Sequence, residues 1–209
     1  MPITSLAALR TLYDPARERS VKKELPHLDV HGRRFIGLSP LVVVASGAAG
    51  ALDASPRGGA PGFVKVTDAH TLLIPDAPGN NRLDTLENIA QAGEAGCPVG
   101  LLFLVPGVDE TLRVNGTAWL SDDEADLALC VDERQRRPRL VIHLTVQAAY
   151  LHCAKALMRS DLWNPVHHLD RSTLPSMGEM MRDQILGHTG QEVLAETQAQ
   201  MLERYRQTL

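Results

Sequence analysis

One stretch constrains this chain more than any other. In ETLRVNGTAWLSD, Thr111, Arg113, Asn115, Thr117 and Trp119 alternate with Leu112, Val114, Gly116, Ala118 and Leu120. A period of two sends successive side chains to opposite faces of a pleated strand, so this segment carries one polar row and one apolar row. Two further runs, LVVVAS and VGLLFLV, are apolar on both faces, as core strands are. FVKVTD and TLLIPD read as a hairpin around Asp68-Ala69-His70, and VIHLTVQAAYL as the last strand, alternating from Val141.

The remainder is helical or turn-rich. Leu6, Leu9 and Leu12 recur at helical spacing after a capping Ser5, ARERSVKKEL reads as a solvated helix ending before Pro26, and a third helix covers Asp29 to Leu38. GAAGALDASPRGGAPG reads as turns. RLDTLENIAQAG predicts a helix with Leu83, Leu86, Ile89 and Ala90 on one side, and Asp122 to Val131 a second. Helices over CAKALMRSDLW, MGEMMRDQILGH and the run from Gln191 close the chain. The expected fold is mainly β with α: about six strands in a closed or half-closed barrel at 41–152, N-terminal helices at 1–40 and C-terminal helices at 153–209. A length of 209 residues, 44% of them hydrophobic, suits one domain with one substantial core.

Composition excludes several functions. With 21 Lys plus Arg against 25 Asp plus Glu and a net charge of -4, the chain lacks the basic balance of a nucleic-acid binder, and 4% aromatic residues make a poor stacking platform. Cys97, Cys130 and Cys153 form an odd, widely spaced set, which argues against a disulfide framework and fits a reducing cytoplasm. Cys153 reads as a buried structural thiol. No histidine spacing of the HExxH kind suggests a metal, so none is expected. FIGLSPLVVVASGAAGAL is broken by Ser39, Pro40, Ser46 and glycines, so it reads as a helix, a turn and a strand and not as a membrane span.

Four segments could carry chemistry. In IPDAPGNNRLDTLENI a strand gives way to a turn and a helix start near Arg82, where backbone N–H groups, the Asn80 and Asn81 amides and a guanidinium could converge on a phosphate. A capping turn with a solvated arginine is the plainer reading of the same residues. SPRGGAPGFVKV offers Arg57 among glycines, Arg113 and Asn115 share one strand face, and Lys155 and Arg159 share a helical face at i, i+4 spacing.

Taken in order and spacing, SPRGGAPGFVKV, IPDAPGNNRLDTLENI, VGLLFLVPG, ETLRVNGTAWLS and YLHCAKALMRSDLW resemble the pyridoxamine 5'-phosphate oxidase-like FMN-binding proteins, over about residues 25–165, and in particular an uncharacterised bacterial FMN-dependent subgroup. The resemblance implies a split β-barrel, a homodimer, and FMN in clefts between subunits. It implies Asn81 and Arg82 at the FMN phosphate, with Leu83 backing the site. Arg57, with backbone around Ser55 and Gly58, would reach the phosphate or the ring edge. Arg113 and Asn115 would lie beside the cofactor, and Lys155, Arg159 and Trp163 would come from the partner subunit. The implied activity is an FMN-dependent oxidoreductase that passes electrons from a reduced donor such as NAD(P)H to a small acceptor of unknown identity. A non-catalytic flavin-binding or redox-sensing protein, or a relative holding haem or a deazaflavin, is the alternative. The arginine- and histidine-bearing tail with which true pyridoxamine-phosphate oxidases grip substrate is not found in this sequence, so that reaction is not expected.

Overall fold

A computed structural model of the chain describes residues 2–207, in two compact units that divide between Trp163 and Asn164. The first unit is built on β1 (Leu41–Ala48), β2 (Ala51–Gly58), β3 (Lys65–Val66), β4 (Thr71–Pro75), β5 (Cys97–Leu104), β6 (Thr111–Ser121) and β7 (Val141–His152). They form one seven-stranded sheet in the order β2-β1-β5-β6-β7-β4-β3, antiparallel at every pairing. The sheet is mainly β in a fold with helices at both ends, and it stays open between β2 and β3, in the manner of a split barrel.

One strand more is present than the sequence pattern suggested. Ala51–Gly58 reads as turn because Gly, Asp, Ser and Pro dominate it, yet it pairs with β1 from Leu41↔Gly58 to Ala48↔Ala51 through a tight turn at Ala49-Gly50. It lies at the sheet edge, where a proline such as Pro56 is tolerated because the ladder needs no donor on its free side.

The register defines two faces. Phe103 sits opposite Val42 and Leu112, and Leu101 opposite Val44 and Val114, so these residues line an inner face. All are buried, together with Leu72, Ile74, Ile142 and Leu144 of β4 and β7. Two helices cover this face. In α3 (Val30–Leu38), capped by Asp29 accepting from the Gly32 N–H, Ile36 enters the core. In α4 (Asp84–Gln91), Leu86 and Ile89 do so. Burying such side chains stabilises the fold by about 1.5–3 kcal/mol each. The buried face of α4 differs from the periodic expectation. Leu83 and Ala90 are exposed, whereas Thr85 and Asn88 are buried because each has a polar partner on the sheet.

On the outer face, α5 (Glu124–Leu129) buries Leu127 against Leu73 and Val141, with Cys130 beside it. A β-bulge between Asn115 and Gly116 shifts the pairing of β6 with β7. Only glycine fits there, since a Cβ would collide with the Thr145 carbonyl. Ahead of the sheet lie α1 (Leu6–Arg10), with the Ser5 cap in place, and α2 (Glu18–Lys22). After it comes α6 (Lys155–Ser160).

The second unit holds α7 (Met177–Thr189) and α8 (Gln198–Arg206). Both start with reciprocal capping boxes, Ser176 with Glu179 and Thr197 with Gln200, which satisfy otherwise orphaned helix N–H groups. No helix among the described residues is long and apolar enough to cross a membrane.

Candidate functional site

The expected site residues fall into two groups. The first is organised by the inward row of β2. Asp53, Ser55 and Arg57 lie opposite Ser46, Val44 and Val42, which places them on the inner face. The Asp53 carboxylate accepts from the Ser55 hydroxyl at 2.9 Å and from the Thr85 hydroxyl in the first turn of α4. Asn88, one turn on, donates to the Ser46 hydroxyl at 3.1 Å with both residues buried. At the other end of the row, Arg57 meets Asp76, the residue after β4, at 3.4 Å. The polar row thus clamps both ends of the loop joining β4 to α4, and so brings Ser55 and Arg57 to the segment that carries Asn81, Arg82 and Leu83.

Within that loop Asn81 adopts a left-handed φ of 58°, which asparagine tolerates better than most residues. The Asn80 side chain accepts from the Arg82 N–H at 3.0 Å, and Leu83 caps the helix. The Arg82 guanidinium is exposed and pairs with Asp84 at 2.7 Å, so the helix opens two residues beyond that arginine. Such an exposed pair stabilises folding by less than about 1 kcal/mol, and it leaves the guanidinium able to turn to another anion.

Arg57 is the more telling group. Both its side chain and that of Asp76 are about four-fifths buried, at 22% and 19% exposure. Burial pushes the Asp76 carboxyl above its usual range, and neighbouring Arg57 and Arg139 offset this only in part. The Arg57 Nε–H is buried with no acceptor. A buried charged donor left unsatisfied costs at least about 1–3 kcal/mol, and an anion is the group that would satisfy it. On this observation the residues fit a phosphate, which would compete with Asp76 and Asp84 for the two guanidinium groups.

The second group lies on the other side of the sheet. Arg113 sits opposite Leu102, and Asn115 opposite Gly100, in register with Val43 and Ala45. These residues line a cleft of about 460 Å³. Its polar side adds Asp109, Thr111, His152 and Cys153, and its apolar side Leu104 and Leu157 of α6. The Arg113 guanidinium stands 5.7 Å from the Tyr150 ring centroid, a cation–π contact. Lys155 and Arg159 extend exposed from α6, and the Trp163 indole N–H donates to the Val108 carbonyl at 3.0 Å, tying the end of α6 to the β5–β6 connection. Gly58 belongs to neither group: its register with Leu41 and Leu104 puts it on the outer face, with Pro40 as its neighbour.

Reasoning from sequence missed Asp53, Asp76 and Thr85 in the first group and Asp109, Thr111 and His152 in the second. The alternation of Asp53, Ser55 and Arg57 was the available signal for the first. Cys153 is exposed at the cleft and not buried: its strand ends at His152, one residue before it.

An open antiparallel sheet with a cation-bearing strand-to-helix loop on one face and an arginine-lined cleft on the other defines a split-barrel protein. The profile of the pyridoxamine 5'-phosphate oxidase family matches residues 28–153, and the chain belongs to that family. Among solved structures it is similar to HupZ of Group A Streptococcus, at 18% identity over 59% of this chain and 93% of that one, with a TM-score of 0.47. A candidate pyridoxamine 5'-phosphate oxidase of Lactobacillus delbrueckii is 22% identical over 61% of this chain and 98% of that one, with a TM-score of 0.45. An FAD-binding protein of Mycobacterium smegmatis is 16% identical over 61% of this chain and 100% of that one, with a TM-score of 0.40. Nothing among curated proteins matches the chain.

Proposed function

We propose that this chain is an FMN-binding flavoprotein of the cytoplasm, acting as an oxidoreductase that passes electrons from a reduced donor such as NAD(P)H to a small acceptor. The observation that carries this reading is the buried, acceptor-less Nε–H of Arg57 beside the clamped loop, in a chain of this family. A phosphate monoester bears about -1.5 to -2 charges and needs several cations and N–H donors. Arg57 and Arg82 supply two, with Asn81 and Leu83 shaping the loop around them. Bound FMN supplies the redox chemistry, and the protein contributes binding, orientation and electrostatics.

The same flavin is proposed to touch Arg113 and Asn115 of a second copy. The two groups lie on opposite faces of one sheet, so one chain cannot easily offer both to one ligand. Two copies related by a twofold axis can. In this arrangement Lys155, Arg159 and Trp163 also reach the flavin from the partner subunit. The apolar outer-face residues Val43, Leu102 and Leu104, half-buried in the single chain, would then find cover.

Titration of the purified protein with FMN and with riboflavin tests the reading. FMN is expected to bind far more tightly than riboflavin, and Arg57→Ala is expected to abolish most of that difference. Equal affinities for the two flavins in the wild type would place the phosphate site elsewhere. Light scattering is expected to report a dimer, and oxidation of NAD(P)H by the FMN-loaded protein would separate an enzyme from a non-catalytic flavin carrier.

A further inference from the structure

A second, smaller cavity lies where the N-terminal segment crosses the sheet. Leu25 pairs with Ala149 by two backbone hydrogen bonds of 3.0 and 2.8 Å, and so extends the sheet past the end of β4. The Leu28 N–H donates to the Ala69 carbonyl at 2.7 Å, and the chain then turns into α3. This crossing closes a cavity of about 210 Å³ against the ends of β6 and β7. Its floor is apolar, formed by Leu25, Leu112 and Leu151.

Its polar lining is mainly one lysine and two histidines. Lys23, His27 and His31 all face the cavity. The single carboxylate there, Asp29, already accepts the Gly32 N–H at 2.7 Å as the helix cap. The Lys23 ammonium donates to the Leu151 carbonyl at 2.5 Å and stands 5.8 Å from the Tyr150 ring centroid. Among the described residues no carboxylate lies within ion-pair distance of it. Arg113 approaches the same ring at 5.7 Å but lines the larger cleft and not this cavity. Lys23 is thus the cation of this cavity, and Asp29, its one carboxylate, is engaged in capping α3. A carboxylate binding in the cavity beside Lys23 would gain a charge-assisted hydrogen bond from its ammonium while its body covered the leucines. The cavity is too small for a nucleotide, since ligand sites of drug size occupy about 300–1,000 Å³.

We infer that this cavity binds a small carboxylate with an apolar body, separately from the proposed flavin site. The test is NMR of the assigned histidine rings in the full-length protein, titrated with butyrate and benzoate and, as neutral controls, butyramide and benzamide. Both carboxylates are expected to shift the His27 and His31 signals saturably, with a Kd on the order of 1 mM, as suits ligands of so few heavy atoms. The amides are expected to cause little shift. Lys23→Met keeps the apolar stem, and it is expected to weaken the carboxylates about tenfold while leaving the spectrum otherwise unchanged. Lys23→Arg is expected to restore most of the affinity. Equal shifts with the amides, no saturable shift, or an unaltered Kd in Lys23→Met would each overturn the inference. Displacement of butyrate by FMN would also overturn it, by joining this cavity to the flavin site.

Discussion

The inward row of β2 and the outward row of β6 both carry an arginine two residues from a smaller polar side chain, yet they do different work. Ser55 and Arg57 are half-buried and already bonded, through Asp53 and Asp76, to the two ends of the β4–α4 loop. Arg113 and Asn115 are exposed, and among the described residues Arg113 rests on the Tyr150 ring. The first row is therefore part of the fold as well as part of a candidate site, whereas the second is available without structural cost. A substitution in the first is expected to change both affinity and local order, and one in the second affinity alone.

The comparison depends on the register of β6, and breaking that register has the largest expected effect. Gly116→Ala would drive a methyl group into the Thr145 carbonyl at the bulge. With the new Cβ far inside van der Waals contact of a backbone oxygen, overpacking is expected to cost about 3 kcal/mol or more, measured as a lower urea midpoint. A register that relaxed by one residue would turn Arg113 and Asn115 inward and empty the cleft of its polar side.

Next in size is the loss of a phosphate contact. Arg57→Ala is expected to weaken FMN by about 1.5–3 kcal/mol, roughly tenfold to a hundredfold, with riboflavin almost unaffected. Arg82→Ala is expected to follow the same pattern near the lower end, because its exposed guanidinium already has Asp84. Arg82→Lys should rescue only in part, since an ammonium cannot reproduce the planar fork. A larger effect at Arg82 than at Arg57 would reverse the roles assigned to them.

Arg113→Ala sharpens the contrast from the other side. It is expected to weaken FMN and riboflavin equally, by about twofold to fivefold, the size of an exposed cation–π or ring-edge contact. The thermal midpoint should not move. A preference for FMN in that loss would assign the phosphate to the outer face.

The smallest effect concerns pH. Burial raises the Asp76 pKa in the folded chain, so the folded state holds that proton more tightly than the unfolded one. The resulting stability is fully present below the unfolded value of about 3.9 and is lost as pH rises through the folded value. Denaturant midpoints followed across mildly acidic pH should show this slope in the wild type and lose it in Asp76→Asn. An identical slope in the variant would assign the titration to another carboxylate.

Much of this architecture was legible in the sequence. The alternation of ETLRVNGTAWLS, the apolar runs of β1 and β5 and the Ser5 cap all appear where their patterns put them. What escaped was β2, because an edge strand may carry proline and because its inward positions are polar. The buried Thr85 and Asn88 escaped for a related reason: helix periodicity ranks residues by apolarity, and here hydrogen bonds to Asp53 and Ser46 reverse that ranking. The separation of the two arginine rows could not be read at all. It is a property of strand pairing, and no single strand records which face its neighbours share.

The exposure of Cys153 has a practical consequence for labelling. Cys97 and Cys130 are buried, out of reach of a bulky reagent, and burial also pushes the Cys130 thiol up to about 11. A maleimide dye added to the unmodified protein should therefore form a single adduct, at Cys153, which intact-mass and peptide analysis would locate. The dye would stand beside His152 and Arg113 at the mouth of the cleft. Its emission would then report flavin arrival or subunit exchange in the natural sequence, without an engineered attachment point.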